Sequence, residues 1–192
     1  VDGLALRALV ERGFSALVGA EIVETPPLFT GERSEMSGDF LSLPKRMSPP
    51  ILRALPGAKT LSSIIWRESS YVKDFERVAP ACILYRNRLG GTVAAMSYHL
   101  GMGVSYLYSE GRQRFVNDVL DSLAGEAVDN ICMNAQNVLA LERRAADGSD
   151  LVLLQNLNCD PEREALLRRR VRPSSVEVMD DHGAWRAAAF TW

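Results

Sequence analysis

The chain has 192 residues, 47% of them hydrophobic, with a formal net charge of -2 at pH 7. A chain of this size can bury roughly 70% of its unfolded surface, so one or two domains fold without a metal or disulfide staple. The near-neutral balance gives no bulk attraction toward nucleic acid or anionic membranes, and no apolar run approaches the roughly 20 residues that cross a bilayer.

Three cysteines, Cys82, Cys132 and Cys159, share no paired spacing. Two lie in apolar stretches, where a thiol packs as a small hydrophobe, so a reducing compartment such as the cytoplasm is the expectation. The chain opens on Val1 and leads straight into a helical pattern without a signal peptide, which points to a segment removed upstream.

Asp2 is placed to cap a helix whose apolar positions Leu6, Leu9 and Val10 recur at helical spacing, and Gly13 supplies its stop. Phe14, Leu17 and Val18 predict a second short helical turn, followed by a strand over 20–23 that Pro26-Pro27 terminates. From Thr25 to Pro56 the Pro, Ser and Gly content rises, and Thr30 to Asp39 shows no apolar period, so this stretch reads as a long irregular connection.

Thr60 to Trp66 reads as a strand. Ala81 to Asn87 and Thr92 to Tyr98 flank Leu89-Gly90-Gly91 and predict a hairpin. Ser109 then precedes a helix with Phe115, Val119, Leu120 and Leu123 on one face, Arg112, Arg114, Asp118 and Asp121 mostly on the other, and Gly125 as its stop. Beyond it, 137–143, 151–156, 164–171, 175–179 and 185–190 read as short strands, broken at Asp147-Gly148, Asp160-Pro161, Pro173 and Asp181-His182-Gly183. The change of period predicts an α/β domain over 1–124 and an antiparallel all-β sandwich over 125–192.

Several stretches carry a resemblance to a known family. Asp2-Gly3 through Arg12-Gly13-Phe14, with Leu17-Val18-Gly19, resembles the later half of a class I glutamine amidotransferase-like domain. Leu84-Tyr85-Arg86-Asn87-Arg88-Leu89-Gly90-Gly91-Thr92-Val93 is similar to that family's strand, glycine turn and strand, and Tyr108-Ser109-Glu110-Gly111-Arg112 to the opening of its last helix. Val138 to Arg143 and Leu151 to Leu157 are similar to the small β-sandwich that ends barrel-type β-galactosidases.

In those enzymes the amidotransferase-like domain follows the catalytic barrel and helps form a trimer. The resemblance therefore implies a partial three-layer α/β domain followed by a sandwich, which supports and oligomerises a glycoside hydrolase. Its partners would be the upstream barrel of the same parent protein and further copies of the chain, and the two glycosidase carboxylates would lie in that barrel.

Reactive groups are sparse. The cysteines lack the small neighbours of a nucleophile elbow, and no Gly-x-Ser-x-Gly occurs. Cys82 with His99 is a conceivable dyad, but a buried thiol and a strand-end imidazole is the simpler reading. His99 and His182 lie far apart in sequence with no neighbouring ligand spacing, so no zinc site is read, and Asp180-Asp181-His182-Gly183 reads as a turn. Sequence alone does not pair Glu68, Glu76 and Glu110 as glycosidase carboxylates, so no such centre is assigned. Gly101-Met102-Gly103 lacks the third glycine of a dinucleotide loop. Arg168-Arg169-Arg170 with Arg172 reads as a solvated or interface strand, and Trp66, Trp185 and Trp192 as core or interface anchors. No catalytic, metal or cofactor-binding residue is assigned. Two other functions stay open: a carbohydrate-binding module using exposed tryptophans, and a cysteine-dependent amidotransferase-like hydrolase.

Overall fold

A computed structural model describes residues 1, 3–23, 31–41, 43, 50–67, 74–99, 109–126, 128–134, 138–161 and 164–192. Asp2, Pro26-Pro27, Glu68, Gly101-Met102-Gly103 and Tyr108 lie outside these residues. The chain mixes helices with many antiparallel strands and divides into two compact units, Val1–Ala127 and Val128–Trp192.

The first unit opens with α1 (Gly3–Glu11) and α2 (Ser15–Val18), followed by β1 (Ala20–Ile22). Three further strands, β2 (Gly31–Ser34), β3 (Phe40–Leu41) and β4 (Leu52–Ala54), lie in the stretch expected to be irregular. Long-range pairing forms them: β2 aligns with β5 (Lys59–Trp66), and β4 with β1. The inward residues of β2 are Glu32 and Ser34, both buried, so the strand has no hydrophobic alternation to read.

Next come β6 (Glu76–Arg86) and β7 (Thr92–Met96), which pair from Cys82↔Met96 to Arg86↔Thr92 as the expected hairpin. Asn87 fixes the turn: its Oδ1 accepts from the Leu89 and Gly91 amides, and its Nδ2 donates to the Leu17 carbonyl. The strand before the turn starts five residues earlier than its apolar run, because Pro80 sits at an irregularity opposite Ser63 where the ladder is already interrupted.

Together the strands form a five-stranded sheet in the order β3-β2-β5-β6-β7. On one face Leu41, Leu61, Ile64, Cys82 and Met96 pack with Phe115 and Val119 of α3 (Glu110–Ala124). On the other, Ile83 and Ala95 pack with Leu6 of α1, Val18 of α2, Ala20 and Leu52. Full burial of each large side chain, as for Leu6, Leu61, Ile83 and Phe115, contributes about 1.5 to 3 kcal/mol. Ser109 caps α3 by accepting from the Arg112 amide, and Gly125 closes it with a left-handed turn.

Among its described residues the second unit contains three two-stranded ribbons: β9 (Val138–Arg144) with β10 (Asp150–Asn156), β8 (Ile131–Cys132) with β11 (Leu167–Arg168), and β12 (Glu177–Met179) with β13 (Trp185–Ala187). The strand expected over 164–171 shrinks to Leu167–Arg168, and β8 was not foreseen. Little apolar burial holds this unit together. Instead Arg169 donates to Glu142 at 3.0 Å and to Asp150 at 2.7 Å, and Arg170 to Asp129 at 3.0 Å.

Candidate functional site

Two polar clusters occupy opposite faces of the five-stranded sheet. The first is closed. Arg112, expected on the solvent face of its helix, is instead buried, because Glu32 lies beneath the first turn of α3. Arg112 Nη1 donates to Glu32 Oε2 at 2.5 Å and to the Tyr98 hydroxyl at 2.5 Å. Tyr98 in turn donates to Glu32 Oε1 at 3.0 Å, and Ser62 Oγ donates to the same oxygen.

Burial pushes the Glu32 carboxyl above the usual range, against the pull of Arg112, Ser62 and Tyr98. Burial, reinforced by the Glu32 charge, also holds the Tyr98 phenol well above its ordinary value. The same burial with Glu32 pushes the Cys82 thiol up to about 12, so the thiolate a nucleophile requires is suppressed. This cluster satisfies its own hydrogen bonds and is sealed from solvent, which makes it a tie between α3 and the sheet.

The second cluster is open. Glu35 follows β2 and accepts from Ser63 Oγ at 2.7 Å and from Arg77 Nε at 2.7 Å through Oε1, while its Oε2 accepts from Arg77 Nη2 at 2.9 Å. These bonds, the one from Arg77 foremost, hold the Glu35 carboxyl below its ordinary value. The guanidinium groups of Arg33 and Arg77 lie 4.5 and 5.4 Å from the ring centre of Phe75. The pair borders a shallow depression, wide open to solvent, near Thr60, Ser63 and Pro80.

The residues weighed from sequence do not come together. Cys82 faces α3, whereas His99 Nε2 accepts from the Leu4 amide at 3.3 Å and its ring lies against Gly3. Cys132 is half-buried and Cys159 exposed. Glu110 pairs with Arg114 one helical turn on, and Glu76 opens β6. Glu32 and Glu35 project from opposite faces of the sheet, so they cannot flank one glycosidic bond.

Asp180 accepts from the His182 and Ala184 amides and binds Arg186, the hydrogen bonding of a tight turn. Trp185 and Trp192 are exposed rather than core residues. Among the described residues, no three His, Cys, Asp or Glu side chains gather as metal ligands would, and no helix is long and apolar enough to cross a membrane.

Sequence reading missed both clusters, since each joins segments tens of residues apart through pairing that no local pattern announces. Comparison with protein-family profiles, curated proteins and solved structures finds no match to this chain.

Proposed function

We propose that the chain is a non-catalytic structural and oligomerisation region of a larger carbohydrate-active enzyme, a glycoside hydrolase. The observation that carries this reading is an open apolar face on the β9–β10 ribbon. Leu141 pairs with Leu153 and Arg143 with Leu151, so Leu139, Leu141, Leu151 and Leu153 share one face. Their exposures are 44, 49, 46 and 58%. Leucines grouped in this way support an interface with a partner. The opposite face carries Glu142 and Asp150, both tied to Arg169.

On this reading the five-stranded sheet with helices on both faces belongs to an amidotransferase-like domain, and the ribbons of the second unit are strands of a β-sandwich. The partners are the catalytic barrel of the parent protein and further copies of the chain. The closed Glu32 cluster and the suppressed Cys82 thiol support a role without chemistry of its own.

Light scattering on the purified chain, alone and mixed with the barrel, tests the proposal. Association that Leu141→Asp or Leu153→Asp weakens is the expected result. A monomer indifferent to both partners and both substitutions overturns it, as does turnover of chromogenic glycosides by the chain itself. A second reading, a carbohydrate-binding module, draws on Trp185 and Trp192, which are 49 and 62% exposed. Glycan binding lost in Trp185→Ala would favour it.

A further inference from the structure

We propose that two copies of this chain join through the open edge of β10, so that their β9–β10 ribbons form one continuous antiparallel sheet. This rests on the assembly reading and names its partner and its contact. The Ala145 amide donates to the Ser149 carbonyl at 2.8 Å, which sets the phase of the ribbon. Backbone groups in an antiparallel pair point alternately toward and away from the neighbouring strand. Those of Leu151, Leu153 and Gln155 therefore serve β9, and those of Asp150, Val152, Leu154 and Asn156 point outward. Among the described residues the outward groups meet no backbone partner.

The two edges of the ribbon differ. Along β9 the run Glu142-Arg143-Arg144 puts charge on the border, a device by which sheets discourage further pairing. β10 carries Leu151-Val152-Leu153-Leu154, with no charge, proline or bulge between Asp150 and Gln155.

A second β10, running antiparallel about a two-fold axis at Leu153, fits this edge along its whole length. Val152 then lies opposite Leu154 of the second copy and Asp150 opposite Asn156, each pair exchanging outward N–H and C=O groups, and no like charges face one another. The leucines of both ribbons fall on one side of the joined sheet, as a single apolar surface that the barrel covers under the assembly reading. Both outer borders are now the charged β9 strands, so assembly closes at two copies.

Light scattering on the full chain at about 100 µM should give the mass of two copies. The Val152 and Leu154 amides should gain protection from exchange as concentration rises, while those of Leu151 and Leu153, already bonded to β9, change little. Val152→Pro removes an outward N–H, spares the ribbon's own bonds and should weaken dimerisation about tenfold or more. Leu153→Lys and Leu153→Asp each set like charges across the axis and should be monomeric, whereas an equimolar mixture of the two should pair.

A dimer whose Val152 and Leu154 amides exchange freely, or which Val152→Pro leaves as tight, overturns the edge contact and leaves the assembly reading standing. The same holds for a mass above two copies, or for a chain that stays monomeric up to about 1 mM yet binds the barrel. A chain that is monomeric alone and indifferent to the barrel overturns both. Should circular dichroism show Val152→Pro misfolded, the charged variants decide, since dimers of either one alone or a mixture that stays monomeric refutes the contact.

Discussion

Arg112 in the first turn of α3 pairs with Glu32 of β2, 80 residues earlier, and the two side chains are 3 and 0% exposed. A buried pair of this kind adds little over a hydrophobic replacement, yet removing one partner is costly because the other is stranded.

Arg112→Met should therefore lower the unfolding free energy by about 3 to 5 kcal/mol at neutral pH, measured by urea denaturation. The deficit should shrink as pH falls. Burial already raises Glu32 in the folded chain, and loss of Arg112 raises it further. The folded state then binds the proton more tightly than the unfolded state, so stability is gained below the folded value and lost as pH rises through it. A deficit that grows on acidification would contradict this account.

The second unit should respond to acid in the opposite sense. Hydrogen bonds from Arg169 and then Arg144 lower Asp150, and those from Arg186 lower Asp180. Burial works against the charge of Asp129, but its bonds with Arg170 outweigh that and lower it as well. Such carboxylates stabilise the fold above their unfolded values, and that stability disappears as pH falls through the folded ones. Protection of the amides in 138–156 and 167–187, measured against their intrinsic exchange rates, should fall below about pH 4, and also in high salt, which screens exposed pairs.

Gly19 and Gly13 should differ in their tolerance of a methyl group. Both have positive φ, 77° and 84°. A Cβ on Gly19 would lie 2.3 Å from Tyr85 Cγ, whereas one on Gly13 would meet nothing within 4 Å. Gly13→Ala should cost about 1 to 2 kcal/mol from backbone strain alone. Gly19→Ala should cost about 1 to 3 kcal/mol more, since the Tyr85 ring must move. Thermal melts of the two variants provide the comparison.

Alkylation should separate the cysteines. Cys82 is fully buried and its thiol is pushed up to about 12, so iodoacetamide at neutral pH should spare it while modifying the exposed Cys159. Peptide mass spectrometry reads the result, and rapid labelling of Cys82 in the folded chain would refute it.

Local signals were legible where the structure is locally determined. Ser109 and Gly125 bracket α3 as their chemistry requires, and Asn87 to Gly91 turn the chain between β6 and β7. Gly148 and Gly183 take up positive φ at the ribbon turns, where Asp147-Gly148 and Asp181-His182-Gly183 signal breaks in the sequence. The misses share a cause. β2 carries polar residues inward because Arg112 and Tyr98 wait beneath them, and Arg112 looked solvent-facing because its counter-charge lies 80 residues away. Glu35, Ser63 and Arg77 likewise converge over separations of 28 and 42 residues, which only the sheet register can bring about.

The two faces of the β9–β10 ribbon also govern how that ribbon can misassemble. Side chains alternate with a period of two, so a slip of β10 by a single residue would turn Asp150 away from Arg169 and set Leu151 in its place. In a unit with so little apolar burial, greasy contacts cannot penalise that error strongly. The strand alignment is proof-read by charge, and a chain carrying the wrong alignment would reveal itself by an unanswered arginine.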